Sequence, residues 1–171
     1  GSPVTIADRA AHDAIIALLP VVMPGVPVIS EESFDAAAPL PSAAFWLVDP
    51  LDGTKEFLKR NGEFTVNIAL IEHGAPVLGV VHVPVTGETY AGDVGRGAGR
   101  QRQAWRWPGR DASPLPIHTR AVPANGVTVL ASRSHHDGVA LARFLAGRVV
   151  ANTVQAGSSL KFCVVARGDA D

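Results

Sequence analysis

Two short acidic groups carry the chemistry that this sequence makes legible. The first is Asp49-Pro50-Leu51-Asp52-Gly53-Thr54, where two carboxylates stand three residues apart behind the apolar run Phe45-Trp46-Leu47-Val48. That run predicts a strand that delivers Asp49 at its end. Pro50 fixes φ and has no N–H, so the chain is expected to leave the sheet there. Gly53 permits a sharp bend and close backbone approach. The loop then presents two carboxylates with the Leu51 carbonyl between them, a set of hard oxygen donors of the kind Mg²⁺ prefers. Beyond it a helix opens, and its first N–H groups, at Gly53 and Thr54, suit phosphate oxygens. The second group is Ser30-Glu31-Glu32-Ser33, at the end of another expected strand, with Glu31 as a third carboxylate. Three such groups could hold a pair of Mg²⁺ ions about 3.5–4 Å apart, which activate water and stabilise a leaving oxygen. Alone, Asp-Pro and Asp-Gly are ordinary turn formers and a Glu-Glu pair is solvated charge. Their joint position at strand ends, with a helix start beyond, is what points to phosphoryl chemistry.

The elements that must position these groups follow from apolar period and turn residues. Thr5 and Asp8 have capping-box spacing and predict a helix over 6–19, stopped by Pro20. Strands are expected at 26–30 and 45–48, separated by an Ala/Pro-rich loop, and a short helical stretch at 55–59 ends at Asn61-Gly62. Strands at 65–71, 76–83 and 88–91, joined through His73-Gly74 and Thr86-Gly87, predict an antiparallel meander. The segment 92–125 is rich in Gly, Arg and Pro, with short hairpin strands near 104–107 and 115–118. Thereafter strand and helix alternate: strand 127–131, helix 137–146, strand 149–154 and helix 159–167 with Ser158 as its cap. The fold class is therefore α/β (α+β) in layers, with a metal-bearing subdomain over 1–125 and a second α/β subdomain starting at 126.

Composition narrows the ligand class. With 171 residues, 47% hydrophobic, and a net charge of −1, the chain is globular and has no global field to recruit nucleic acid or an anionic membrane. An anionic substrate must be held by local devices. The single cysteine, Cys163, excludes an internal disulfide and fits a reducing, cytoplasmic setting. No signal peptide is evident, and the uncharged stretch 14–30 is too short and too broken by Pro20, Pro24 and Pro27 to cross a bilayer. Arg96, Arg100, Arg102, Arg106 and Arg110 interleave with Trp105 and Trp107, which reads as a solvated hairpin rim rather than a nucleic-acid surface. His135 and His136 have no further ligands at a workable spacing, and His135 sits at an expected helix start. Cys163, among apolar residues at helical spacing, reads as core.

At this point the motifs are recognisable together. Asp49-Pro50-Leu51-Asp52-Gly53-Thr54 resembles the signature of the inositol-monophosphatase-like superfamily, and Glu31-Glu32 resembles its upstream acidic motif. Lys55-Glu56-Phe57 is similar to the 3'(2'),5'-bisphosphate nucleotidase branch. So are Ser2-Pro3-Val4-Thr5-Ile6-Ala7-Asp8, Asn61-Gly62-Glu63-Phe64-Thr65-Val66-Asn67, Ser132-Arg133-Ser134-His135 and Gly157-Ser158-Ser159-Leu160-Lys161-Phe162. The resemblance covers nearly the whole chain and is weak at 34–44 and 95–125.

The resemblance implies an α-β-α-β-α sandwich of the inositol-monophosphatase and fructose-bisphosphatase type. It implies two or three Mg²⁺ ions, held by Glu31, Asp49, the Leu51 carbonyl and Asp52, and inhibition by Li⁺. Thr54 paired with Asp8 would orient the attacking water, so Thr54, Asp8 and Asp49 are the catalytic set. Glu31, Leu51, Asp52, Gly53, Thr54, Lys55, Ser132, Arg133, Gly157, Ser158, Ser159 and Lys161 would contact substrate. The implied reaction removes the 3'-phosphate of adenosine 3',5'-bisphosphate without a phosphoenzyme, in the cytoplasm. The resemblance leaves open a homodimer and peripheral association with the inner membrane. It also leaves open an inositol-monophosphatase-type substrate and an inactive Mg²⁺- or nucleotide-binding fragment. A haloacid-dehalogenase-like phosphatase fits less well, because its aspartates are two apart. Relatives carry an earlier helix and a later Trp-Asp-x-Ala aspartate that completes the second metal site. This sequence contains neither, so the expectation is truncation at both ends with apolar surface bared around Phe162 and Val164. Asp169 and Asp171 are not expected to substitute as ligands.

Overall fold

The structure is a computed structural model and describes residues 4–95, 101–133 and 138–171. Helix α1 spans Ile6–Val22 and begins with the expected capping box: the Thr5 side chain accepts from the Ala7 and Asp8 N–H groups, and Asp8 reaches back to Thr5. Pro20 does not stop it. Lying in the last turn, Pro20 removes one bond only, and the Met23 N–H closes the helix on the Leu19 carbonyl at 2.9 Å. Ile15, Leu19 and Met23, four residues apart, form the stripe that meets the sheet.

Strands β1 (Val28–Ser30), β2 (Ala44–Asp52), β3 (Thr65–Glu72), β4 (Ala75–Val83), β5 (Glu88–Asp93), β6 (Gln103–Trp107) and β7 (Leu115–Pro116) form one sheet in sequence order. β1 runs parallel to β2, and the remaining neighbours are antiparallel, which includes the expected meander. The strand carrying Asp49 is longer than expected and does not leave the sheet at Pro50. A bulge between Asp49 and Asp52 absorbs Pro50 and Leu51, so the missing N–H costs no ladder bond, and pairing resumes at Asp52 opposite Thr65.

Side chains alternate across the strands, and the two sheet faces take different helices. Trp46, Val48, Leu70 and Leu78 meet α1. Val81, Val83 and Tyr90 meet Leu160 and Cys163 of helix α4 (Leu160–Ala166). Cys163 is buried there, as expected of a core residue, and burial pushes its thiol up to about 11. A second, parallel pair, β8 (Val127–Ser132) and β9 (Val150–Ala156), is joined through helix α3 (Gly138–Leu145). The cap of α4 is Ser159, not Ser158. Ser158 adopts a left-handed φ of 47°, and its hydroxyl accepts the Leu160 N–H at 3.3 Å. Phe162 is 73% exposed, as expected.

The solvated-rim reading fails for Arg106. Its register opposite Tyr90 places it beside Glu88, with which it forms an ion pair. Arg96, Arg100, Ser134, His135 and His136 lie outside the described residues. Among the described residues no helix is long and apolar enough to cross a membrane.

Adjacent positions on α1 test this packing. Leu19→Ala, at 7% exposure against Trp46, is expected to cost about 2–5 kcal/mol in urea unfolding. Leu18→Ala, at 63% exposure, is expected to stay within about 0.5 kcal/mol of wild type.

Candidate metal and phosphate site

Parallel pairing puts Ser30 opposite Val48, so Glu31 and Asp49 emerge from the sheet side by side. The Asp49 carboxylate accepts the Leu51 N–H at 3.1 Å and hydrogen-bonds with Glu31. Burial, followed by the charges of Glu31 and Asp52, pushes Asp49 up to about 7. Glu32 is also raised, by burial and then by the charges of Asp8 and Glu31. A nearby cation would favour the ionised form of Asp49. Among the described residues no three His, Cys, Asp or Glu side chains already stand in ligand geometry. Asp52 accepts the Ser159 N–H at 2.5 Å. The donors are all oxygens, carboxylate and Leu51 carbonyl, and so suit Mg²⁺.

Gly53 caps helix α2 (Thr54–Leu58) with φ 90°, a conformation that favours glycine. A Cβ there would also meet Ser158 Cβ at 3.0 Å and the Glu63 carbonyl at 3.3 Å. That close approach brings the 157–161 loop over the Asp52–Lys55 turn. Asp52, Gly53, Thr54, Lys55, Ser132, Ser158, Ser159 and Lys161 thus line one cavity of about 300 Å³, together with Glu56 and Phe162. Behind its wall, the Ser159 hydroxyl bonds Thr65 at 2.9 Å and Asn67 at 2.8 Å, which fixes it beside Asp52. The Lys161 ammonium donates to the Ser158 and Ala156 carbonyls and holds the loop's shape.

The other expected residues are placed elsewhere. Glu31 and Asp49 border a neighbouring cavity of about 450 Å³ whose walls are mostly apolar. Asp8 is 2% exposed, and its carboxylate is taken by the Thr5 N–H and hydroxyl. The Thr54 hydroxyl faces the Leu51 carbonyl at 3.5 Å. Arg133 and Gly157 stand behind the cavity on Glu63. Glu63 itself went unnoticed as a functional residue, and its place in Asn61-Gly62-Glu63-Phe64 was the available signal. Asp171 is held by Arg120 at 2.7 and 3.0 Å and by the Thr128 N–H at 2.8 Å, while Asp169 pairs with Arg167.

The layered α/β fold thus sets the carboxylate and carbonyl oxygens of the Asp49–Asp52 segment beside a polar cavity that Asp52, Thr54 and Lys161 line. Residues 1–171 match the inositol monophosphatase family over their full length, and the chain belongs to that family. It is 47% identical over 170 residues to the 3'(2'),5'-bisphosphate nucleotidase CysQ of Escherichia coli K12, covering 99% of this chain and 64% of that protein. The CysQ of Buchnera aphidicola is 39% identical, and the match covers 60% of its length. The chain therefore spans somewhat under two thirds of the length of these relatives. Among solved structures, CysQ from Bacteroides thetaiotaomicron superposes with a TM-score of 0.75 at 36% identity, covering 100% of this chain and 66% of that one. The inositol monophosphatase of Anabaena shares the fold, with a TM-score of 0.76 at 24% identity, 98% of this chain and 64% of that one being covered.

The electrostatics of Asp49 give a pH test. Its carboxyl is pushed from 3.8 to about 7 in the folded protein, so folding favours the protonated form. The Asp49 contribution to metal-free stability is therefore expected to be fully present below pH 4 and to be lost as pH rises through 7. Mg²⁺ is expected to restore it at pH 8 and to do little at pH 5. Urea midpoints at the two pH values, with and without Mg²⁺, check this, and Asp49→Asn should remove both the pH dependence and the Mg²⁺ effect.

Proposed function

We propose that this chain carries the metal site of a Mg²⁺-dependent phosphomonoesterase that removes the 3'-phosphate of adenosine 3',5'-bisphosphate, giving AMP and phosphate. The observation that supports this most is the bond from the Ser159 amide to Asp52. It sets a metal-type carboxylate against the loop carrying Ser158 and Lys161. Identity with named bisphosphate nucleotidases along nearly the whole chain supports the same substrate class.

In this reading Glu31, Asp49, Asp52 and the Leu51 carbonyl hold two or three ions. When bound, Mg²⁺ supplies positive charge to the phosphate and makes water a better nucleophile. Thr54 aligns the attacking water behind phosphorus, while Asp8 stays with Thr5 at the start of α1. The Gly53 and Thr54 amides, with Lys55, grip the phosphate as the P–O3' bond breaks. Ser132, Arg133 and residues 157–161 shape the nucleotide pocket. The metal-bearing unit covers 1–125, and the nucleotide-bearing unit begins at 126. The enzyme works in the cytoplasm, where Cys163 stays a thiol.

The primary test is phosphate release from adenosine 3',5'-bisphosphate, its 5'-phosphosulfate counterpart and inositol monophosphate, measured side by side. The first should be fastest; a preference for inositol monophosphate would overturn the substrate assignment. Asp49→Asn is expected to abolish turnover at saturating Mg²⁺. Thr54→Ala should lower kcat by roughly 10²–10⁴-fold with little change in Mg²⁺ requirement. Rescue of Thr54→Ala by added Mg²⁺ would make that residue scaffold instead. Li⁺ should inhibit at limiting Mg²⁺.

A further inference from the structure

Glu63 lies between α2 and β3, outside the metal donor set, yet it holds three parts of the chain together. Its two oxygens accept Arg133 Nε and Nη2, both at 2.8 Å, and Oε2 also accepts the Gly157 N–H at 2.8 Å. Arg133 donates onward to the Gln155 carbonyl at 2.8 Å. One carboxylate is thereby fixed to the C-terminal ends of both β8 and β9. The hydrogen bonds from Arg133 hold Glu63 below the usual carboxylate range, so the contact is ionic at neutral pH.

The main chain of Glu63 is crowded as well. A Cβ on Gly157 would stand 3.0 Å from the Glu63 carbonyl and 2.5 Å from Glu56 Cγ, and one on Gly53 would stand 3.3 Å from that same carbonyl. The two glycines let the phosphate-side turn and residues 157–161 both approach the Glu63 carbonyl closely. The loop is tied at Ser159 by Asp52 and at Gly157 by Glu63. The first tie uses a metal-site carboxylate that a cation competes for; the second does not.

We propose that Glu63 is a positioning residue: acting through Gly157 and Arg133, it holds the 157–161 loop against Gly53–Lys55 and so sets affinity for the phosphate-bearing substrate. Arg133 acts here as the clasp of this latch. An exposed ion pair alone contributes little. Here the carboxylate also takes a backbone N–H at a glycine that admits no side chain, so losing it displaces the loop.

The substrate arm of the test rests on the proposed function; the exchange arm does not. Glu63→Ala and Glu63→Gln are compared with wild type by amide hydrogen exchange and by steady-state kinetics on adenosine 3',5'-bisphosphate. Glu63→Ala is expected to speed exchange in residues 157–161 while β2–β4 and α1 keep their protection. KM should rise about tenfold, as displaced positioning groups weaken binding, with kcat and half-activating Mg²⁺ within about twofold. Glu63→Gln, which keeps the shape and an acceptor, should recover most of both effects. Unchanged exchange at 157–161 in both variants overturns the proposal whatever the substrate, and so does exchange raised throughout the sheet in both. Faster loop exchange with KM unchanged overturns the affinity role. If wild type turns over inositol monophosphate instead, KM is read on that substrate, and the latch stands or falls separately from the substrate assignment.

Discussion

Parallel pairing of β1 with β2 is the constraint on which the site depends. Because Ser30, the last residue of β1, lies opposite Val48 within β2, the next residue on each chain is a carboxylate, Glu31 and Asp49. Ser30 and Val48, which precede them, are almost fully buried and anchor the main chain at this junction. Burial raises the proton affinity of Asp49, and the charges of Glu31 and Asp52 add to it. In the proposed reading, a divalent cation would offset this crowding of carboxylates. α1 matters for the same reason: its stripe of Ile15, Leu19 and Met23 clamps Trp46 and Val48 and keeps β2 from sliding.

The bulge at Pro50 and Leu51 is the second device. An unbroken β2 would alternate its side chains across the sheet, putting Asp49 and Asp52 on opposite faces. Two residues absorbed without pairing carry Asp52 round so that it meets both Asp49's field and the Ser159 amide. The same irregularity turns the Leu51 carbonyl towards Thr54. Proline is compatible because the bulge asks no ladder bond of it.

The site is also a junction between two halves of the chain. Asp52, Thr65 and Asn67 come from the large sheet and Glu63 from the segment before β3, and their partners Arg133, Gly157 and Ser159 come from the β8–β9 unit or the loop after it. Farther along, Arg167 reaches the Tyr90 hydroxyl at 2.6 Å and Glu88 at 3.6 Å, with Arg106 on the same carboxylate. Polar groups therefore hold the two halves at both ends of α4, and Cys163, Val83 and Tyr90 supply the apolar contact between them.

Much of this was legible in the chain itself. The capping box of α1, the alternation of β3 to β5, the strand–helix order after 126 and the acidic groups at strand ends are local patterns, and local backbone physics makes them readable. Pro50 and Pro20 misled because proline's effect depends on where the lost N–H would have gone. At Pro20 that was one bond in a last turn, and at Pro50 it was an unpaired bulge, both decided by neighbours distant in sequence. The donors Glu31, Asp49 and Asp52 could be named from their residue types, but not the bond that turns Asp52 to Ser159 across 107 positions. Glu63 and Arg133 make the same point. By type they are an ordinary exposed acid and base, and only the closure of two glycines on one carbonyl turns them into a latch. The sequence by itself determined which side chains can hold a cation and which segments carry them. Tertiary structure alone decided which of them face one another, because that rests on sheet register and on contacts between segments about a hundred residues apart, such as Thr65 with Ser159 at 94.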